Sequence, residues 1–278
     1  MSTSRLLLLG AIAGATIFLG LPVGRIRRPM PRTRAALNAG AIGVLFFLLW
    51  DVLSHANEPV EAALTAAHDG SDTWTHFAGL AAVFAGGVGV GLLSLVYYDR
   101  WLGSRSRFGP GAAAVAELRD LGPTAWTAAH RLAFFIALGI GLHNFSEGLA
   151  IGQSAASGEL SLAGVLIVGF ALHNGTEGFG IVAPFASEEQ RPSWAFLLVM
   201  GLIGGGPTFL GTLVGNSFVN ETVFLAFLAL AAGSILYVIV QLLKAAQRLG
   251  EPEVMMWGML AGLAAGFATD YVLVIAGG

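Results

Sequence analysis

Lys and Arg are absent from 6 to 24, 35 to 99, 132 to 190, 192 to 243 and 249 to 278, so polar islands separate long apolar runs. A helix that crosses a bilayer needs roughly 20 mostly apolar residues. The runs predict about eight spans, near 6–24, 35–54, 77–98, 132–153, 161–184, 194–216, 222–243 and 254–276. The first follows Arg5 and continues to Gly24 without a clear small-residue cleavage site, so it reads as a retained helix rather than a signal peptide. Composition agrees with this reading. Of 278 residues, 55% are hydrophobic and 11% charged, where a soluble domain carries roughly 25% charged residues. That excludes an ordinary water-soluble enzyme. Eighteen Phe, six Trp and 39 Gly suit helices that face lipid and pack closely through small residues.

Charge then orients the spans. If the loops alternate sides, Arg25, Arg27, Arg28, Arg32, Arg34, Arg100, Arg105, Arg107, Arg119, Arg131, Arg191, Lys244 and Arg248 all fall on one side, thirteen of the fourteen basic residues. Arg5 falls on the other, with Glu58, Glu61, Asp69, Asp72, Glu159 and Glu221. The positive-inside rule makes the basic side cytoplasmic and puts both termini outside. A net charge of -3 gives no basis for a nucleic-acid partner. With no Cys there is no disulfide framework, thiolate metal site or Cys nucleophile.

Two segments between spans are longer. His55 to His76 holds His55, Glu58, Glu61, His68, Asp69, Asp72 and His76 with no basic residue. It is either a loop that concentrates cations or simply a solvated acidic one. The cytoplasmic loop 99–131 includes an Arg-, Ser- and Gly-rich stretch from Ser104 to Gly111 and a short helix expected over Ala112 to Leu121. No soluble domain is visible, so residues 1–278 read as a single transmembrane domain.

The candidate chemistry lies in the fourth and fifth spans. They read LHNFSEG from Leu142 to Gly148 and LHNGTEG from Leu172 to Gly178, one His-Asn-x-x-Glu-Gly pattern repeated. On a helix, positions i and i+4 share a face. His143 therefore lies over Glu147 and His173 over Glu177, flanked by Asn144 and Asn174. A charged group at mid-depth costs about 2.5–3.5 kcal/mol on insertion scales, and neither span holds a Lys or Arg to offset it. A metal cation is the simplest partner. Two imidazoles and two carboxylates suit Zn²⁺ and also accept Cd²⁺, Fe²⁺, Co²⁺ or Mn²⁺. The plainer alternative is protonated glutamates with His–Asn pairs hydrogen-bonded between helices.

LHNFSEGLAIG at Leu142 to Gly152, LHNGTEG in the next span, and LAAGSILYVIVQLL from Leu230 to Leu243 resemble the fourth, fifth and seventh helices of the ZIP (ZRT, IRT-like protein) divalent-metal transporters. The resemblance implies an all-α polytopic membrane protein of about eight transmembrane helices. In it, inverted three-helix repeats flank a central helix pair that carries the metal site, with substrate at the midplane. It also implies metal residues His143, Asn144, Glu147, His173, Asn174 and Glu177, transported Zn²⁺ and no prosthetic group. The partners are then divalent metal ions and membrane lipid, with a homodimer allowed for, and the setting is a bacterial-type plasma membrane.

This chain departs from the family pattern at several places. Ser146 and Thr176 stand where many members have a helix-kinking Pro. Gly148, Gly152, Gly178 and Gly180 offer bending or close helix approach instead. Gly206 stands before Pro207 where many members have Glu, and Gln241 where acidic residues are common. Both changes remove metal oxygens, so a single bound ion is expected. Asp51 and His55 share a helical face near the outer end of the second span, as metal-passing groups or as an interfacial pair. Asp270 is either structural or lines the outer access. The rival class is a zinc-dependent intramembrane hydrolase, although the His-Glu-x-x-His signature is absent.

Overall fold

The computed structural model describes residues 2–26, 31–105, 126–156, 160–187, 191–217, 220–247 and 250–276. Helix α1 (Thr3–Ala15) starts at a Ser2 cap, whose side chain accepts from the Arg5 amide. It continues as two 3-10 turns to Arg25, the second containing Pro22, which has no amide to donate. Then follow α2 (Pro31–His68), α3 (Trp74–Arg105), α4 (Ala128–Ala156), α5 (Leu160–Val182, leading into a 3-10 turn, Ala183–Ser187), α6 (Trp194–Gly215), α7 (Glu221–Gln247) and α8 (Pro252–Ala276). Pro31 and Pro252 occupy the first helical position, where a missing amide costs nothing. There is no strand among the described residues. Among the described residues seven stretches, from Thr3–Arg25 to Glu221–Lys244, are long and apolar enough to cross a membrane, and α8 adds an eighth helix of 25 residues. The protein is an all-α polytopic membrane protein.

One expectation is corrected. The segment His55 to His76 is largely helix, because α2 runs to His68 and α3 begins at Trp74. Pro59 inside α2 removes one backbone hydrogen bond without ending the helix, and the Ala-rich stretch after it sustains the turn. At the tip, His76 Nδ1 lies 2.5 Å from Asp72 Oδ2 and holds that carboxyl below the usual range. The helix expected over Ala112 to Leu121 lies outside the described residues.

Side-chain contacts gather alternate helix ends at one end of the bundle. Arg25 donates to the Pro192 carbonyl and stacks over Trp194. Arg32 pairs with Glu251 at 3.5 Å, Trp126 packs on Phe196, and His130 on Phe185 and Phe196. This end carries Arg25, Arg32, Arg100, Arg131, Arg191 and Lys244, and we refer to it as the basic end. The opposite end carries Glu58, Glu61, Asp69, Asp72 and Glu221, as charge alternation predicts.

The packing repeats itself. The principal helix pairs α2–α8 and α3–α7, α4–α6 and α1–α5, and α4–α7 and α2–α5 exchange when α1–α3 swap with α6–α8 and α4 with α5. The register agrees residue by residue. A Cβ at Gly43 of α2 would overlap the Met259 carbonyl of α8, and one at Gly233 of α7 would overlap the Val88 carbonyl of α3. Likewise Gly258 meets Ala39 and the Ala36 carbonyl, as Gly87 meets Ala229 and the Ala226 carbonyl. Gly14 of α1 and Gly205 of α6 lie against each other where the two halves meet. Small residues let these backbones touch, which supplies dispersion contact where lipid offers no hydrophobic drive. Two pairs, α2–α3 and α5–α8, have no counterpart among the principal contacts of the described residues.

Candidate metal centre

α4 and α5 are continuous helices through both motifs, with no kink-forming Pro. Ser146 bonds back to the Leu142 carbonyl at 3.4 Å. The glycine after each Glu lets a neighbouring helix approach. Gly148 lies against the Thr208 carbonyl of α6 and Gly178 against the Ile17 carbonyl of the first span, so neither position has room for a Cβ. Gly152 likewise abuts Thr212 and Asn216, whereas Gly180 has only ordinary contacts with Leu45 and Ile140. With these helices close, the motif side chains are turned into the bundle.

His143, Asn144, Glu147, Asn174 and Glu177 are all buried, Glu177 completely. His143 Nε2 lies 3.2 Å from Glu147 Oε1 and 4.0 Å from Glu177 Oε1, so one imidazole stands between the two motif carboxylates. Asn144 Nδ2 donates to Glu177 Oε2 at 3.0 Å, tying α4 to α5, and to the Gly204 carbonyl of α6 at 3.0 Å. Asn174 turns elsewhere. Its Nδ2 donates to the Ala13 carbonyl of α1 at 3.0 Å, the contact that repeat symmetry pairs with Asn144 on Gly204. Asn144 Oδ1, Asn174 Oδ1 and Glu147 Oε2 are buried oxygens without a hydrogen-bond partner. Buried acceptors left unpaired are costly. A cation is a partner that would satisfy several at once.

The structure thus brings together four of the six predicted residues, His143, Asn144, Glu147 and Glu177, and sets Asn174 at their edge. The side chain of His173 lies outside the described residues, although its backbone is in α5. Among the described residues no three His, Asp or Glu side chains converge tightly enough to close around an ion in this arrangement. The donor set is nonetheless one that suits a divalent transition metal: imidazole nitrogen, two carboxylates and an amide oxygen.

Asp51 of α2 was placed by its sequence position near an outer helix end. It lies near enough to this cluster for its charge to act on both His143 and Glu177. His55 packs back on it, with Nδ1 3.0 Å from the Asp51 carbonyl and 3.4 Å from Oδ1. The register that equates Gly43 with Gly233 also equates Asp51 with Gln241 of α7. That internal repeat is the signal that sets Asp51 apart from an isolated interfacial acid.

The family model described as a ZIP zinc transporter matches residues 122–273, from the approach to α4 into α8. The zinc transporter ZupT of Chlorobium limicola (strain DSM 245 / NBRC 103803 / 6330) is 39% identical to this chain over 136 residues, 48% of this chain and 51% of that protein. The chain therefore spans about half the length of the curated relative it matches.

Proposed function

The chain belongs to the ZIP zinc transporter family, and from that premise we propose that it carries a divalent transition metal, Zn²⁺ above all, across the membrane into the cytoplasm. The observation that carries the reading is the burial of Glu147 and Glu177 on either side of His143, with no Lys or Arg anywhere from 132 to 190 to neutralise them. His143, Glu147 and Glu177 are the principal ligands at the membrane midplane. His173 completes the set from α5, and Asn144 and Asn174 are weaker or orienting partners. Cd²⁺, Fe²⁺, Co²⁺ and Mn²⁺ are secondary cargo. The basic end faces the cytoplasm, and a divalent ion moving inward gains about 4.6 kcal/mol per 100 mV, twice the single-charge value.

One ion occupies the site at a time. Two would bring four positive charges against two carboxylates, and Gly206 supplies no oxygen where the family resemblance implies a Glu.

Uptake of Zn²⁺ into metal-free proteoliposomes holding the purified chain is the test. Saturable uptake, driven by a negative-inside potential, is expected. Absence of flux from protein that still binds Zn²⁺, or hydrolysis of peptide or lipid without flux, would overturn the proposal.

A further inference from the structure

Between the His–Glu cluster and the basic end the bundle is closed by apolar side chains. Leu45 and Ile42 of α2, Ile136 and Ile140 of α4, and Ile181 and Val182 of α5 are all buried in one cluster. One polar residue breaks this layer. Asn38 is 2% exposed, and neither its Nδ2 nor its Oδ1 has a hydrogen-bond partner.

Its place follows from helix geometry. Asn38 lies on the same face of α2 as Ile42 and Leu45, one and two turns nearer the basic end. Leu45 Cδ2 is 3.9 Å from where a Gly180 Cβ would be, and Gly180 lies one turn past Glu177 on α5. Seven residues of helix separate Leu45 from Asn38, about 10 Å along the axis. The amide thus sits about 10 Å beyond Leu45, on the basic-end side of the cluster. The 3-10 turn Ala183–Ser187, which continues α5 toward that end, also packs on α2.

Architecture does not demand an amide here. Asn38 stands five residues before Gly43, and the equivalent place in the other repeat, five before Gly233, is Leu228, itself buried. The same fold closes around an apolar side chain on the opposite side of the site. An Asn that is buried and unpartnered where its repeat mate is Leu is costly to keep, and a partner arriving in another state of the protein accounts for it.

We propose that Asn38 is a relay site for the divalent cation, its amide oxygen receiving the partly hydrated ion between the His–Glu cluster and the basic end. This rests on the transport reading above. The amide suits a transient station, because a neutral oxygen holds a divalent ion less tightly than a carboxylate and so lets it leave.

The test compares the whole chain with its Asn38→Leu, Asn38→Asp and Asn38→Ser variants in proteoliposomes loaded with a Zn²⁺ indicator, alongside equilibrium Zn²⁺ binding and thermal unfolding in detergent. Asn38→Leu should slow uptake at least about tenfold, the cost of about 1.4 kcal/mol at the limiting step, while leaving Zn²⁺ affinity within about twofold and thermal stability equal or higher. Asn38→Asp and Asn38→Ser, which keep an oxygen, should retain more uptake than Asn38→Leu. Uptake by Asn38→Leu equal to the parent overturns the relay. So does loss of folding or of equilibrium binding in both Asn38→Leu and Asn38→Ser, which would make Asn38 structural. Failure of the unsubstituted chain to take up Zn²⁺ would instead defeat the transport reading itself.

Discussion

Asn144 offers the sharpest quantitative test of how the site is held. Its Nδ2 is 3.0 Å from Glu177 Oε2, in a setting where neither residue reaches water. Replacing Asn144 with Ala removes the donor that favours the ionised form of Glu177. A hydrogen bond to a charged group is worth about 1.5–3 kcal/mol, which is about 10- to 100-fold in an equilibrium constant. The second bond, to the Gly204 carbonyl, matters less, since a helical carbonyl keeps its own backbone donor. Asn144→Ala should therefore weaken Zn²⁺ binding by about 10- to 100-fold in competition with a chromophoric chelator, and lower uptake at subsaturating Zn²⁺ by a similar factor. Asn174→Ala is the control. Its amide bonds a neutral carbonyl, Ala13, a contact worth about 0.5–1.5 kcal/mol, so its effect on binding should be smaller. Affinity within about threefold of the parent in Asn144→Ala, or a larger loss in Asn174→Ala, would refute the reasoning.

Other expectations follow from the packing and the donor set. Gly148→Ala would drive a Cβ into the Thr208 carbonyl, an overpacking that costs about 1–3 kcal/mol. Gly206→Ala meets nothing within 4 Å and gains up to about 1 kcal/mol of helix propensity, so thermal unfolding in detergent should rank Gly206→Ala above the parent and Gly148→Ala below. The opposite order would contradict the helix contacts. In this Cys-free chain, Ser71→Cys should be labelled by an impermeant thiol reagent from outside and Thr127→Cys only from the cytoplasmic side. Labelling of both from one side would break the topology. With imidazole and carboxylate donors and no thiolate, Zn²⁺ uptake should far exceed Cu⁺ uptake, and selective Cu⁺ flux would mean that the ligands are misassigned.

Much of this was legible in the sequence because a bilayer leaves few ways to satisfy a backbone. Apolar length and the basic islands were enough for eight helices and their alternation. The duplicated motif was enough to put His143 over Glu147, since i and i+4 spacing fixes a shared face. Three things were not legible. The acidic segment after Asp51 looked like a loop because its polarity masks a good helix former, and Pro59 reads as a breaker although α2 passes through it. Which way each Asn turns depends on which carbonyl the next helix presents, so Asn144 and Asn174 looked alike in sequence yet bond to Glu177 and to Ala13. The closeness of Asp51 to the cluster, and the equivalence of Asn38 with Leu228, needed the register between α2 and α7. That register is written in small residues such as Gly43 and Gly233, whose meaning appears only once their partners Met259 and Val88 are seen.

In the proposed transport cycle Glu147 and Glu177, with His143 between them, hold the transported ion. Anomalous diffraction at the zinc edge from crystals grown with Zn²⁺ tests it most directly, with Glu147→Ala and Glu177→Ala crystals as references. One peak is expected between α4 and α5, with carboxylate oxygens drawn in to about 2.0–2.2 Å, absent from both variants. Zn²⁺ bound elsewhere at full occupancy with this site empty, or a peak here that survives the loss of either carboxylate, would contradict it.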